Sequence, residues 1–240
     1  MTATLWLLPV ALGDTPWQQC LPPATCNAAC QLSHFIAENA KTARAELKRM
    51  AHPIPLRELN IVQLPEKLSY TETAAIDQLL SPLLAGRDVG LMSEAGCPAI
   101  ADPGALLVRR AHALGLCVKP LVGPSSILLA LMASGLDGQR FAFHGYLPAR
   151  EPERSQRIAA LEKESLHLQQ TQIFIETPYR NLALFTALIK EAHPHTLLCL
   201  ACDLTLAQEM IVTRPVAEWK KQPPPEIDKR PTVFLFLASQ

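Results

Sequence analysis

The sequence has no charge excess: 22 Lys and Arg balance 22 Asp and Glu, so the chain carries no net charge. That excludes a protein whose whole surface grips nucleic acid, while a local basic patch stays open. Long apolar runs are missing too, since none approaches the roughly 18 residues of a membrane-spanning helix. No basic residue precedes the apolar stretch Leu5 to Leu12, and Pro9 interrupts it. A strand is therefore expected there rather than a secretory signal, and the expected compartment is the cytoplasm. Seven cysteines, an odd number without framework spacing, suit a reducing compartment. Cys20, Cys26 and Cys30 lack the histidine or fourth cysteine that completes a zinc pattern. Cys199 and Cys202 lie in an apolar strand-like run, where residues three apart point to opposite faces. No metal site is expected. Also absent are a G-x-x-x-x-G-K-S/T phosphate loop, a G-x-G-x-x-G fingerprint, a G-x-S-x-G nucleophile elbow and H-E-x-x-H. There is no repeat of solenoid period and no low-complexity tract.

What is present is enough for a substantial core: 49% of residues are hydrophobic and 18% charged. The pattern alternates strand and helix. Strands are expected at Thr4–Pro9, His34–Glu38, Val89–Met92 and Cys117–Val122. Helices are expected from Pro23 towards Leu32, over Asn39–Met50, and over Glu72–Leu84 with Gly86 as terminator. Ile61–Leu64 is apolar and Pro65–Ser69 reads as loop. Gly123 to Gly135 reads as a glycine-proline-hydroxyl turn feeding a helix so apolar that burial on most sides is expected. Strands then follow at Phe141–Gly145, Gln172–Thr177, Thr196–Cys202, Glu209–Thr213 and Thr232–Ala238. Helices are expected at Pro152–Leu168 and Asn181–Ala192. This predicts an α/β protein of two domains, residues 1–122 with a mostly parallel sheet and 123–240 with a mixed one.

Chemistry concentrates in turns at strand ends. The stretch Ser93 to Gly104 follows an apolar strand with two glycines, two prolines and two acids in twelve residues. Asp102 and Pro103 read as the N-cap and first position of a helix carrying Leu107, Ala111 and Leu114, ended by Gly115. An acid- and glycine-rich loop at the carboxyl end of a parallel strand is where open α/β sheets place ligands. Lys41, Arg44 and Lys48 share one face of their helix, either as a solvated face or as a basic face for phosphate.

The ordered turns resemble those of the tetrapyrrole methylase superfamily, within it most like the small-subunit ribosomal RNA cytidine 2′-O-methyltransferase I group and its shorter relatives. That group shows S-D-A-G-x-P-x-x-S-D-P-G, P-G-P-S-A, F-x-F-x-G-F-L-P and F-x-E-S-P-H-R. Here they read Ser93 to Gly104, Val122 to Ser126, Phe141 to Pro148 and Phe174 to Arg180. The resemblance spans roughly residues 4 to 237. It implies a homodimeric methyltransferase with S-adenosylmethionine (SAM) held mostly by main chain in a cleft between two α/β domains. Carried over by position, the cofactor residues are Leu8, Pro9, Glu94, Gly96, Cys97, Ser125, Ser126, Ile175, Glu176, Cys202 and Thr232. The implied substrate is RNA or the small ribosomal subunit, with Lys41 and Arg44 on phosphate.

Departures bear on the substrate rather than on SAM. The group's E-D-T-R-x-T is Glu38-Asn39-Ala40-Lys41-Thr42-Ala43 here, P-T-P-I-G-N is Pro9 to Asp14, and Glu94 stands for an aspartate. A ribose hydroxyl acceptor needs a base within hydrogen-bond reach. Glu38 is the candidate and His144 the alternative. Each also has a plainer role: Glu38 capping the following helix or pairing with Lys41, His144 packing in its strand. RNA action predicts a positive rim including Lys41, Arg44 and Arg150. A small-molecule or protein-side-chain methylase predicts an enclosed apolar pocket near Tyr146 and Tyr179. A SAM-binding module without transfer activity predicts binding with no turnover.

Overall fold

The computed structural model describes residues 3–65, 68–69 and 71–239. The chain divides into two compact units, Met1–Ser125 and Ser126–Gln240. In the first, five strands, β1 (Thr4–Leu8), β2 (His34–Ala37), β3 (Asn60–Gln63), β4 (Val89–Met92) and β5 (Cys117–Pro120), pair in the order β3-β2-β4-β1-β5. Every neighbouring pair is parallel, as the alternation predicts. Four helices connect them: α1 (Pro23–Ala29), α2 (Ala40–Arg49), α3 (Thr73–Leu84) and α4 (Ala105–Ala113).

A parallel sheet buries both faces, so its strands read as short apolar runs without alternation. Cys26 and Ala29 of α1 and Ala43 and Leu47 of α2 pack with Leu8, Phe35 and Met92 on one face. Ile76 and Leu80 of α3 and Leu107 and Ala111 of α4 pack with Leu5, Ile36 and Leu91 on the other. The connection leaving β1 runs one way along the sheet to β2, and the one leaving β4 runs the other way to β5. Because β1 and β4 are neighbours, their carboxyl ends flank a topological switch point, the place where open α/β sheets bind ligands.

The second unit holds β6 (Phe141–Tyr146), β7 (Thr171–Ile175), β8 (Leu197–Cys202), β9 (Met210–Pro215) and β10 (Thr232–Leu237). Their order is β6-β7-β10-β8-β9, with β6–β7 parallel and the other pairs antiparallel, the mixed sheet the late strands predict. Helices α5 (Ser126–Ser134), α6 (Glu153–Leu168), α7 (Asn181–Glu191) and α8 (Val216–Trp219) complete it. Its core gathers Ile158, Leu161, Phe174, Leu184, Leu188, Leu200, Phe234 and Phe236. Phe174 and Phe234 stack at 6.0 Å and 8°. The buried Trp219 indole donates to the Leu198 carbonyl at 2.9 Å, which satisfies its polar atom.

Three local expectations need correction, and one element was not expected. Asp102 does not cap α4: that helix starts at Ala105 behind Gly104, without a side-chain cap. Asp102 instead accepts from the Ala99 and Gly104 N–H groups at 2.9 and 2.6 Å, folding the loop back on itself. Helix α5 is not buried on most sides, since Leu128 and Met132 stand 50% and 79% exposed while Ala130, Leu131 and Ser134 face the core. Helix α1 stops at Ala29, short of Leu32, because the chain must turn into β2. The four-residue α8 carries too few positions to show a helical period, and nothing predicts it. Of the loop expected over Pro65–Ser69, residues 66 and 67 lie outside the described residues. Among the described residues no helix is long and apolar enough to cross a membrane.

Candidate active site

At the carboxyl ends of β1, β4 and β5 three loops meet through main chain. Val10 and Gly96 exchange two hydrogen bonds, Val10 N to Gly96 O at 3.0 Å and Gly96 N to Val10 O at 3.2 Å, forming an isolated antiparallel bridge. The Cys97 thiol donates to Pro124 O at 3.3 Å, joining the acidic loop to the turn before Ser125. The Ser93 hydroxyl lies 3.1 Å from Gly96 O and stays inside the loop.

Two glycines are fixed by this contact. Gly96 has φ +73°, and a Cβ there would lie 3.3 Å from Pro124 O. A Cβ on Gly123 would lie 2.2 Å from Pro9 Cβ, so only glycine lets the two loops touch. Ala99 and Ala101 also sit in the left-handed region, at φ 66° and 61°, which L-residues enter at a cost. The Asp102–Ala99 hydrogen bond helps hold this conformation.

Glu38, one residue past β2, reaches across the sheet end. Its Oε2 accepts the Glu94 N–H at 3.1 Å. It neither caps α2 nor pairs with Lys41. Asn39 is the cap, its Oδ1 accepting from Lys41 N at 2.9 Å and Thr42 N at 3.2 Å. Burial pushes the Glu38 carboxyl up, with the charges of Asp102 and Glu94 adding to it, against the lowering effect of the Glu94 N–H. Burial likewise raises Asp102, against its two backbone hydrogen bonds. The sheet end therefore carries two acids held towards their neutral forms, beside the exposed Glu94.

The remaining residues fall into distinct settings. Leu8 and Pro9 are buried beneath the first loop, Cys97 and Ser125 are partly open, and Lys41 and Arg44 stand in solvent on α2. In the second unit, Ser126 begins α5 and Ile175 ends β7. Glu176 is buried, and its Oε1 accepts from Thr177 N at 2.6 Å and from Arg180 Nε and Nη2 at 3.0 and 2.6 Å. Cys202 and Thr232 face each other in register across β8 and β10, 0% and 5% exposed. His144 has both ring nitrogens engaged, Nε2 with Gln172 Oε1 at 2.5 Å and Nδ1 with Arg157 Nη2 at 3.2 Å. Because Arg157 can only donate, Nδ1 is the acceptor and its lone pair is occupied. Tyr146 and Tyr179 stand 58% and 77% exposed.

Sequence reasoning missed the residues that act through main chain or at a distance. Val10 is one, since a bridge made by backbone leaves no side-chain signature. Asn181 is another: its amide donates to Ile227 O at 3.1 Å, Arg230 O at 2.7 Å and Thr232 Oγ1 at 3.3 Å, tying α7 to the segment entering β10. A polar residue at the first position of an apolar helix is the only sequence hint of that role.

The family model described as Tetrapyrrole (Corrin/Porphyrin) Methylases matches residues 18–220. A ribosomal RNA small subunit methyltransferase I of Xylella fastidiosa (strain Temecula1 / ATCC 700964) is 31% identical over 227 residues, covering 95% of this chain and 77% of that protein. The protein of that name from Pseudomonas aeruginosa is 39% identical over 141 residues, 59% of this chain and 49% of its own length. That from Escherichia coli O157:H7 is 35% identical over 156 residues, 64% and 53% respectively. The chain thus spans about half the length of these last two relatives. The crystal structure of the methyltransferase CobJ superposes with a TM-score of 0.64 over 99% of this chain and 94% of that one. At 17% identity this likeness concerns the fold alone. With the motif order, the doubly wound first sheet and the family match in agreement, the chain belongs to the tetrapyrrole (corrin/porphyrin) methylase family of methyltransferases.

Proposed function

We propose that this chain is a SAM-dependent methyltransferase acting on RNA, with a ribosomal cytidine 2′-hydroxyl as the acceptor, working in the cytoplasm on the small ribosomal subunit. The observation that carries the cofactor reading is the three-loop junction at the switch point of the first sheet. Gly96 and Gly123 bring main chain together there, and no metal-binding or phosphate-loop pattern competes for the site. Relatives that are ribosomal RNA small subunit methyltransferases support the acceptor class.

SAM, when bound, supplies a methyl group on a positively charged sulfur. Leu8 and Pro9 would form the floor beneath it, with Glu94, Gly96, Cys97 and Ser125 along its edge; the exposed Glu94 carboxylate suits a cationic or hydroxyl-bearing ligand. Positioning supplies much of the rate in such a transfer. A ribose hydroxyl must also lose a proton. Glu38 is the better base, since burial raises its carboxyl and so makes the carboxylate more basic, and its place beside Glu94 keeps it at the junction. His144, flanked by Gln172 and Arg157, has its acceptor nitrogen occupied. Lys41 and Arg44 would meet phosphate from the exposed face of α2, where Arg44 Nη1 now donates to Ala40 O at 3.3 Å. For the homodimer implied by the family, support comes from Leu128 and Met132, two large apolar side chains one turn apart and open to solvent on α5.

The test is a calorimetric titration of the purified chain with SAM, repeated on Ser125→Trp, followed by labelled methyl transfer to small ribosomal subunits. One-site binding that the substitution abolishes while the fold persists, with label entering the RNA, is the expected result. Label entering a small molecule or protein instead would overturn the acceptor. Binding without any transfer would reduce the chain to a SAM-binding module, and absence of binding would remove the cofactor reading.

A further inference from the structure

The last turn of α2 carries an ion pair that leaves its own helix. Glu46 is buried, 7% exposed, and its Oε1 accepts from Arg49 Nη1 at 2.7 Å. The same guanidinium reaches the loop that follows β1. Arg49 Nη1 lies 3.4 Å from Gly13 O, Nη2 donates to Thr15 O, and Nη2 is 3.8 Å from Asp14 Oδ1. Asp14 is fully exposed, so that last contact is weak; the carbonyls carry the geometry. Gly13 O also accepts the Thr15 N–H at 2.8 Å.

The loop is therefore fixed at two points. Its near end is held by the Val10–Gly96 bridge, its far end by Arg49. A planar guanidinium holds its donors apart in a fixed fork and so reaches a carboxylate and two separate carbonyls together, whereas the three donors of an ammonium radiate from one nitrogen. Glu46 Oε2 has no partner among the described residues, so the acid is not arranged to maximise its own hydrogen bonding. Its contact with Nη1 aims the arginine away from water and towards the loop, and the arginine in turn compensates a charge that burial would otherwise penalise.

We propose that Arg49, aimed by Glu46, is a positioning residue that sets the shape of the loop after β1 and thereby the surface that receives the cofactor. The inference rests on the reading that this loop contacts SAM. It is tested in the full chain with Arg49→Lys, which keeps the charge opposite Glu46 but loses the fork, and with Glu46→Gln, which keeps an oxygen acceptor. Hydrogen exchange at the Thr15 amide and SAM titration are measured on both and on the wild type. In Arg49→Lys, with an unchanged circular dichroism spectrum, exchange at Thr15 is expected to quicken and SAM to bind about tenfold more weakly. Glu46→Gln is expected to stay within about threefold of wild type in both. Millimolar methylguanidinium added to Arg49→Ala should recover part of the affinity. Wild-type exchange at Thr15 in Arg49→Lys would overturn the brace, and fast exchange with undiminished affinity would overturn its link to the cofactor. If the wild type itself binds no SAM, the cofactor reading falls, and the exchange comparison still decides whether Arg49 holds the loop.

Discussion

At Gly123 the missing side chain decides the geometry. A methyl group there would stand 2.2 Å from Pro9 Cβ and 2.7 Å from Pro9 Cγ, atoms of a ring that cannot rotate aside. Relief would have to come from backbone movement in one of two loops, both already committed elsewhere: Pro9 precedes the Val10–Gly96 bridge, and Pro124 O accepts the Cys97 thiol. Gly123→Ala is expected to destabilise the chain by about 1–3 kcal/mol, the usual range for overpacking, measured as a lowered denaturant midpoint. An unchanged midpoint would mean that the loops are softer than these contacts imply. Glycine and proline at these positions are visible in the sequence as turn chemistry. That Gly123 faces Pro9, more than a hundred positions away, is not, because contact between distant turns depends on the order of strands in the sheet.

The elements themselves were largely legible. Val89–Met92, four apolar residues ending in an acidic turn, is the strand the sequence predicts, since burial on both faces demands such a run. Helix α2 shows its start with Asn39, whose side chain accepts from two N–H groups. Replacing it, Asn39→Ala, should cost about 1 kcal/mol, with thermal unfolding shifted down and Asn39→Asp retaining most of the stability. Misreadings arose where one local signal had two physical outcomes. Asp102 before Pro103 fits a helix cap, but its carboxylate meets the Ala99 and Gly104 N–H groups first, and the left-handed alanines leave them within reach. Helix α5 is apolar all round, which normally means burial all round. Here only the Ala130, Leu131 and Ser134 face packs, and hydropathy cannot tell a buried face from one kept for a partner. Within the candidate site, the loops could be read as motifs, whereas Glu38 meeting Glu94 N joins neighbouring strand ends and Arg49 meeting Gly13 O joins the end of α2 to the loop after β1, pairings that depend on the fold.

Over the whole molecule, carboxyl groups pull stability in opposite directions with pH. Glu38 and Asp102 are raised by burial, so the folded chain holds their protons more tightly than the unfolded chain does. Stability from these groups is greatest in acid and is lost as pH rises from the ordinary carboxylate range through their folded values. Glu151 behaves in the opposite sense. Its partners Ser155 and Arg154 lower it to about 2, so its contribution is present above the ordinary range and fades as pH falls towards that value. The Glu38 part can be isolated with Glu38→Gln, which cannot ionise yet keeps an oxygen for Glu94 N. The difference in denaturant midpoint, variant minus wild type, should grow more positive from about pH 4 to about pH 7. A difference that shrinks over this interval would show that Glu38 is stabilised as an anion.

The divergence of the connections after β1 and β4 has an evolutionary consequence. Helices α1 and α2 lie on one side of the first sheet and α3 and α4 on the other, so the two loops at the switch point are rooted in separate layers. Outside the Val10–Gly96 bridge that ties them, either loop can change composition without re-routing the other layer, because neither is the other's path through the fold. Exposed residues of these loops, such as Asp14 after β1 and Glu94 after β4, can therefore drift in one lineage while the strands beneath them stay in place. A scaffold so divided lends itself to swapping acceptors by cassette: grafting one loop from a relative should move substrate preference without rebuilding the sheet that carries it.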